Sequence, residues 1–145
     1  GGLIMRGKGF TLLEVLIVVI IIGILAAIAL PQYTNTLEKG KSAEAATNVG
    51  SIRTALDRYW YQNGSLPAAN TWASLDIDNP NAQTLRLYNY YFDPLTTDAT
   101  TRNYTVTAYR LKASGEDSTT WVVWTQTNNN TGKLTRSANL GGPTS

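Results

Sequence analysis

The strongest constraint on this chain is an apolar run near its N-terminus. No side chain between Val15 and Leu30 is polar. Together with residues 10–14 the run reaches about 20 residues, the length of a helix that crosses a bilayer at about 1.5 Å per residue. Glu14 is the exception, and a lone carboxylate at membrane depth costs on the order of 3 kcal/mol. Because the run contains no basic residue, Glu14 needs a partner from elsewhere.

A short motif at the start of this run carries a resemblance to a known family. Residues 8–14, KGFTLLE, resemble the processing site of type IV prepilins and of the related pseudopilins of type II secretion. The resemblance is close over about residues 6–33 and loose afterwards. It implies that a prepilin peptidase cuts between Gly9 and Phe10 and N-methylates Phe10. It also implies that Glu14 is retained as the fifth residue of the mature chain.

The motif also has a physical reason. Cleavage at Gly9 would leave a cationic amine on Phe10, and in an assembly this amine could neutralise Glu14 of a neighbouring subunit. A paired charge in a low-dielectric core costs much less than an unpaired one. Glu14 is therefore predicted to set the register of subunit addition. The alternative, an ordinary single-span anchor with one tolerated polar residue, explains neither Gly9 nor the short basic leader.

Residues 1–9 are predicted to be a leader peptide, with Met5 as its true start. Arg6 and Lys8 precede the apolar run, so the positive-inside rule places the leader in the cytoplasm and the chain after Leu30 outside. The leader has no apolar region of its own, unlike an ordinary secretory signal peptide. We expect a precursor held in lipid in the bacterial inner membrane, followed by an extracellular pilus at the cell surface.

One helix of about 50 residues is predicted, with a transmembrane and assembly half at residues 10–31 and an amphipathic half at residues 32–63. Gly23 and Pro31 are its weak points, since a proline removes one backbone donor. The resemblance implies that the segment between them can lose helicity in a filament, and a simple kink is the alternative.

The amphipathic half carries one apolar stripe at helical spacing. Arg53 and Asp57 are expected to pair on its exposed side, and Asn63-Gly64 to end the helix in a left-handed conformation. The stripe consists of Ala45, Val49, Ile52, Leu56 and Tyr59.

The remainder is predicted to be a loop followed by a sheet. Residues 64–103 form an irregular αβ-loop that Trp72, Leu75 and Ile77 pin to the helix. Residues 85–92 suit either a short strand or a helical turn. Residues 104–145 form an antiparallel sheet and a C-terminal tail, with strands at 104–111, 120–126 and 133–136 and turns at 114–117 and 128–132. The expected fold class is α+β, a long N-terminal helix packed on a small C-terminal antiparallel sheet, which is the pilin fold.

The composition argues against an enzyme. The 145 residues include no histidine and no cysteine, so the usual general base and thiolate are missing, and no phosphate-binding glycine loop occurs. The missing cysteines also depart from the many type IV pilins that close a C-terminal loop with a disulfide. Residues 76–81 superficially resemble a calcium loop, but Asn81 replaces the required glycine and Leu87 the bidentate acid. An Asx-rich turn is favoured, and neither a metal site nor a cofactor is predicted.

Two further surface functions, DNA binding and electrical conduction, compete with ordinary solvated or packed side chains as interpretations of the basic and aromatic residues. Many copies of a basic last third could bind DNA weakly, but a solvated strand face is the favoured interpretation of Arg102, Arg110, Lys112, Lys133 and Arg136. Tyr33 and the aromatic residues 59–61 suggest a conductive filament, but core and interface packing is favoured.

The residues and the resemblance together predict the major structural subunit of a type IV pilus-like filament. This homopolymer would be built by inner-membrane assembly machinery after cleavage, and would serve surface adhesion, twitching motility or DNA uptake. The alternative within the family is the major pseudopilin of a type II secretion system. The alternative from another class is a membrane-anchored binding module that never polymerises.

Overall fold

A computed structural model describes residues 9–96 and 98–142 of the chain. One long helix precedes a four-stranded antiparallel sheet, in which the strands lie side by side in chain order. The elements are α1 (Leu12–Asn63), β1 (Tyr88–Pro94), β2 (Tyr104–Lys112), β3 (Gly115–Gln126) and β4 (Gly132–Arg136). The predicted α+β fold is confirmed. Residues 1–8 of the predicted leader and 143–145 of the predicted tail lie outside the described residues.

The chain divides into two compact units, one ending at Leu37 and the other, which we call the head, beginning at Glu38. In the first unit α1 is continuous through Gly23 and Pro31. The hydroxyl of Thr34 donates to the carbonyl oxygen of Pro31 at 2.8 Å. Pro31 has no backbone N–H, so it cannot donate the usual helical hydrogen bond. The bond from Thr34 lies in the turn that follows the proline.

The core of the head lies between α1 and one face of the sheet. The predicted stripe is confirmed, because Ala45, Val49, Ile52 and Leu56 are at most 1% exposed and Tyr59 packs against them. Alternate strand residues complete the cluster, as the twofold side-chain period of a strand requires. Its sheet members include Tyr88, Tyr90, Phe92, Tyr104, Val106, Ala108 and Val122.

The expected pair between Arg53 and Asp57 on the exposed side of α1 is wrong. The guanidinium of Arg53 lies 3.9 Å from the ring centre of Trp124. Asp57 accepts a 2.7 Å hydrogen bond from the hydroxyl of Tyr104 and forms a 3.4 Å ion pair with Arg102. Both side chains therefore contact residues of the sheet region and not each other.

The hairpin between β2 and β3 also differs from the prediction. Lys112 pairs with Gly115, so the turn is shorter than the one predicted at residues 114–117. β3 therefore begins before the predicted start at residue 120. Tyr109 pairs with Trp121 but Arg110 pairs with Asp117, which leaves residues 118–120 as a bulge. The Asp117 carboxylate stabilises the bulge by accepting from the N–H and hydroxyl of Thr119 at 3.0 and 2.6 Å.

The αβ-loop packs as predicted. Leu75 is buried, and Trp72 and Ile77 lie against the core. The Asn79 side chain accepts from the backbone N–H of Asn81 at 2.9 Å, which confirms an Asx turn in residues 76–81. In the ambiguous segment 85–92 the strand alternative is correct from Tyr88 onward, and β1 continues to Pro94 inside the predicted αβ-loop. At the end of α1, Gly64 has φ of 73° and donates to the carbonyl of Trp60, so the predicted left-handed stop is confirmed.

Candidate assembly site on the N-terminal helix

The start of α1 is held by a side chain that the sequence analysis did not single out. The hydroxyl of Thr11 accepts a 3.1 Å hydrogen bond from the backbone N–H of Glu14. This satisfies one of the free donors in the first turn of a helix. The signal was present in the sequence, because a threonine followed three residues later by glutamate is typical of a capping box. Glu14 therefore sits in the first turn, where the helix dipole favours a negative charge.

The two residues at the heart of the predicted assembly chemistry lie near each other and face outward. Phe10 is 83% exposed, and the Glu14 side chain is also exposed. Both line one shallow groove, together with Val15, Val18 and Val19. The surface that lines the groove is entirely apolar, so Glu14 contributes the aliphatic part of its side chain to it.

The rest of this half of α1 is an uninterrupted apolar surface. Every large apolar side chain from Leu12 to Leu30 is at least 46% exposed. Within the described residues, α1 is the one helix long and apolar enough to cross a membrane. Burying each such side chain is worth about 1.5 to 3 kcal/mol, so this surface favours lipid or protein contact over water.

Gly23 and Pro31 lie within this surface, and the helix passes through both without a break. A β-carbon built on Gly23 meets nothing within 4 Å. A larger residue would therefore fit here in the isolated chain. The predicted loss of helicity concerns a filament and stays a prediction.

Several cations of the head are paired with carboxylates. Arg102 and Arg110 are 6% and 7% exposed, so the expectation of a solvated face is wrong for both. Arg110 pairs with Glu38 at 3.1 Å and Lys112 with Asp117 at 2.8 Å. The hydrogen bond from Lys112 is the largest cause that holds the pKa of Asp117 below its ordinary value. Three of the five cations considered for DNA binding are thus paired with carboxylates.

The aromatic residues 59–61, Tyr33 and the acidic loop 76–81 differ in their surroundings. Tyr59 and Trp60 pack against the core, whereas Tyr33 and Tyr61 are 62% and 71% exposed. Asp76 forms a bidentate pair with Arg58 at 2.8 Å. No group of three or more acidic, histidine or cysteine side chains that could hold a metal occurs in residues 9–96 and 98–142.

A head that buries half of a helix, joined to an apolar half that stays exposed, defines a pilin-like subunit. Comparison with known proteins agrees with this class. Residues 4–30 match the model of the prokaryotic N-terminal methylation motif. The chain is 44% identical over 68 residues to fimbrial protein EcpC of Eikenella corrodens, covering 47% of this chain and 44% of that protein.

A fimbrial protein of Neisseria meningitidis (serogroup A / serotype 4A, strain DSM 15465 / Z2491) is 37% identical over 86 residues, covering 57% of this chain and 51% of the relative. The type II secretion system core protein G of Escherichia coli (strain K12) is 30% identical over 121 residues, which cover 77% of this chain and 83% of the relative. The chain belongs to the family of type IV pilins and type II secretion pseudopilins, whose members are structural subunits. It spans about half the length of the fimbrial relatives.

Proposed function

We propose that this chain is the major structural subunit of a type IV pilus-like filament and polymerises through α1. The observation that carries the proposal is the exposed apolar surface of α1, whose groove at its N-terminal end contains both Phe10 and Glu14. A surface of this size is not stable in water and marks a site of contact with lipid or protein. Lipid of the inner membrane would cover this surface in the precursor, and neighbouring subunits would cover it in the assembled filament.

Assembly would exchange one apolar environment for another. Transfer of α1 from lipid into a bundle of identical helices retains the burial of its side chains and adds close packing between them. A contact between different surfaces of identical subunits does not close on itself and extends into a filament. No catalytic role is proposed for the chain, and filament extension would depend on separate inner-membrane machinery.

Cleavage between Gly9 and Phe10 by a prepilin peptidase would prepare the subunit for addition. The new amine of Phe10, N-methylated but still cationic, would pair with Glu14 of a neighbouring subunit. Segment 23–31 would supply the flexibility that packing requires, since Gly23 has the lowest helix propensity other than proline and Pro31 removes a hydrogen bond.

The experiment that tests this function is mass spectrometry of the N-terminus in material sheared from the cell surface. A mature chain that begins at methylated Phe10 in this fraction is the expected result. A chain that keeps residues 5–9 in cells possessing the peptidase would contradict the proposal and favour a membrane-anchored binding module.

The second candidate is the major pseudopilin of a type II secretion system. It is favoured by the match to the E. coli core protein G, which extends over 83% of that protein. The same experiment distinguishes the two candidates. A processed chain confined to the periplasm and inner membrane would favour the pseudopilin.

Substitution of Glu14 tests the pairing. We expect Glu14→Ala to lower the yield of filaments roughly 10-fold or more, because the buried amine of Phe10 loses its counter-charge. Electron microscopy of sheared fractions measures the yield. Glu44→Ala is the matched control, since Glu44 is another exposed glutamate on α1 and lies outside the apolar surface. Normal filament yield in Glu14→Ala cells would contradict the pairing.

A further inference from the structure

The sheet of the head has an edge at β1, which pairs with β2 on one side only. An edge strand presents a row of backbone N–H and C=O groups that can pair with another chain. This matters for a chain whose copies are concentrated in a membrane or a filament. Whether this edge is open therefore depends on what pairs with the backbone groups on the outer side of β1.

The register identifies these groups. Leu111 donates to the carbonyl of Leu87, and Leu95 donates to the carbonyl of Asn103, each at 2.8 Å. Odd-numbered residues of this segment therefore direct their backbone groups toward β2. Because successive residues of a strand alternate in direction, the even-numbered residues Tyr88, Tyr90, Phe92 and Pro94 direct theirs to the outside. Tyr90 and Phe92 flank the midpoint of β1.

Two asparagines of the αβ-loop occupy this outer side. The Asn81 side chain accepts from the N–H of Tyr90 at 2.7 Å and donates to its carbonyl at 2.8 Å. The Asn70 side chain accepts from the N–H of Phe92 at 2.8 Å, and the Asn70 backbone N–H donates to the Phe92 carbonyl at 3.1 Å. Pro94, the last residue of β1, has no N–H to offer.

The loop is shaped to hold these two residues in place. Asn70 has φ of 56°, which is uncommon for a residue other than glycine. Asn81 is fixed by the Asx turn from Asn79. Between them, the ring of Trp72 packs edge-on against Phe92 with centres 4.8 Å apart. A backbone conformation of this kind persists where surrounding contacts determine it.

We propose that Asn70 and Asn81 form an edge cover, which stands in for a neighbouring strand and keeps β1 from pairing with β1 of a second copy. Each asparagine satisfies one donor and one acceptor, as a paired strand residue would. The cover itself does not depend on the proposed function. If the chain does polymerise, the cover directs subunit addition to α1 by removing the competing edge-to-edge route.

Hydrogen exchange of the full chain in detergent micelles tests the cover one residue at a time. Asn81→Leu removes both hydrogen bonds to Tyr90. Asn70→Gly suits the left-handed backbone but removes the acceptor for Phe92. We expect the Tyr90 amide to exchange roughly 10-fold faster in the first variant and the Phe92 amide in the second.

Asn130→Ala is the matched control, because Asn130 is an exposed loop asparagine far along the chain from the cover. It should leave both amides unchanged. Faster exchange of both amides in either Asn81→Leu or Asn70→Gly also supports the proposal, because the αβ-loop then separates from β1 as a unit. Unchanged exchange at both amides, or the same rise in Asn130→Ala, would overturn it.

Pairing between copies is tested by cross-linking. The chain has no cysteine, so a single Tyr91→Cys at the exposed midpoint of β1 reports contact between two edges. Antiparallel pairing about this residue brings the two α-carbons to about 4.5–5.5 Å, a distance that a disulfide can bridge.

We expect Tyr91→Cys in the Asn70→Gly, Asn81→Leu background to form roughly 10-fold more oxidised dimer than Tyr91→Cys alone. Lys133→Cys in the same background, exposed on β4, is the control for random collision. Retained protection of the β2 and β3 amides shows that the head is folded, and if it is lost the single variants decide. Equal dimer yield with and without the cover would overturn the proposal.

Discussion

Three tyrosines bring their hydroxyl groups into the core of the head. Tyr88, Tyr90 and Tyr104 are fully buried. Burial disfavours the phenolate, and it raises the pKa of Tyr88 and of Tyr90 from 10.0 to about 12. The pKa of Tyr104 is also raised, first by burial and then by its hydrogen bond to Asp57.

These tyrosines predict a loss of stability at alkaline pH. An unfolded chain releases their protons near pH 10, whereas the folded head retains those of Tyr88 and Tyr90 until about pH 12. Their contribution to the free energy of unfolding is therefore complete below pH 10 and is lost as the pH rises from 10 to 12. Urea unfolding of the full chain in micelles across this range measures the effect.

Matched variants isolate the source of this pH dependence. Tyr90→Phe removes one titrating group and should make the fall between pH 10 and 12 shallower. Tyr61→Phe should not, because Tyr61 is 71% exposed. A urea midpoint that stays constant up to pH 12 would contradict the assignment.

For single residues, the sequence predicted interactions between neighbours in the chain but not those between residues far apart in the chain. The motif around Gly9, Phe10 and Glu14 could be recognised because its residues are contiguous. The pairing of Asp57 with Arg102 could not, since only the fold brings these residues together. Thr11 is an intermediate case, because its cap is local and could have been identified from its spacing to Glu14.

Among the elements, Gly50 of α1 and Gly132 of β4 are predicted to respond oppositely to substitution by alanine. A β-carbon on Gly50 of α1 meets nothing within 4 Å. Gly50→Ala should therefore stabilise the head by about 0.5 to 1 kcal/mol, since glycine weakens a helix interior. On Gly132 the β-carbon would lie 2.1 Å from Trp124 Cζ2 and 2.7 Å from Gln126 Oε1.

Gly132→Ala should destabilise the head by about 2 kcal/mol, because Trp124 must leave its place beside Arg53. Urea unfolding of both variants in micelles measures the difference, and the opposite signs make each variant the control for the other. A neutral Gly132→Ala would show that Trp124 is not fixed as the structure places it.

The strands differ in how well their sequences predicted them. β2 is rich in β-branched and aromatic residues, and its prediction was correct to within one residue. The start of β3 was missed because residues 115–119 are polar and show no alternation, and the bulge at 118–120 depends on Asp117 bonding to its own neighbours. The edge position of β1 could not be predicted because it depends on which strands pair.

At the scale of the whole molecule, the head contains the folded core, and the first unit supplies the apolar surface proposed for contact with lipid or other subunits. Among the described residues, every buried one lies at or after Ser42. The apolar half of α1 contributes none of them. The head should therefore fold without the segment proposed to hold it in a membrane or a filament.

This division predicts that a fragment of residues 38–145 is soluble, monomeric and folded. Its free energy of unfolding should lie within about 1 kcal/mol of that of the full chain in micelles, measured by urea unfolding and sedimentation. The fragment begins at Glu38 because this residue pairs with the buried Arg110 at 3.1 Å. Glu38→Gln in the fragment should cost about 1 to 2 kcal/mol, because the buried Arg110 cation loses its counter-charge. An aggregated or unfolded fragment would mean that the apolar half of α1 supports the head.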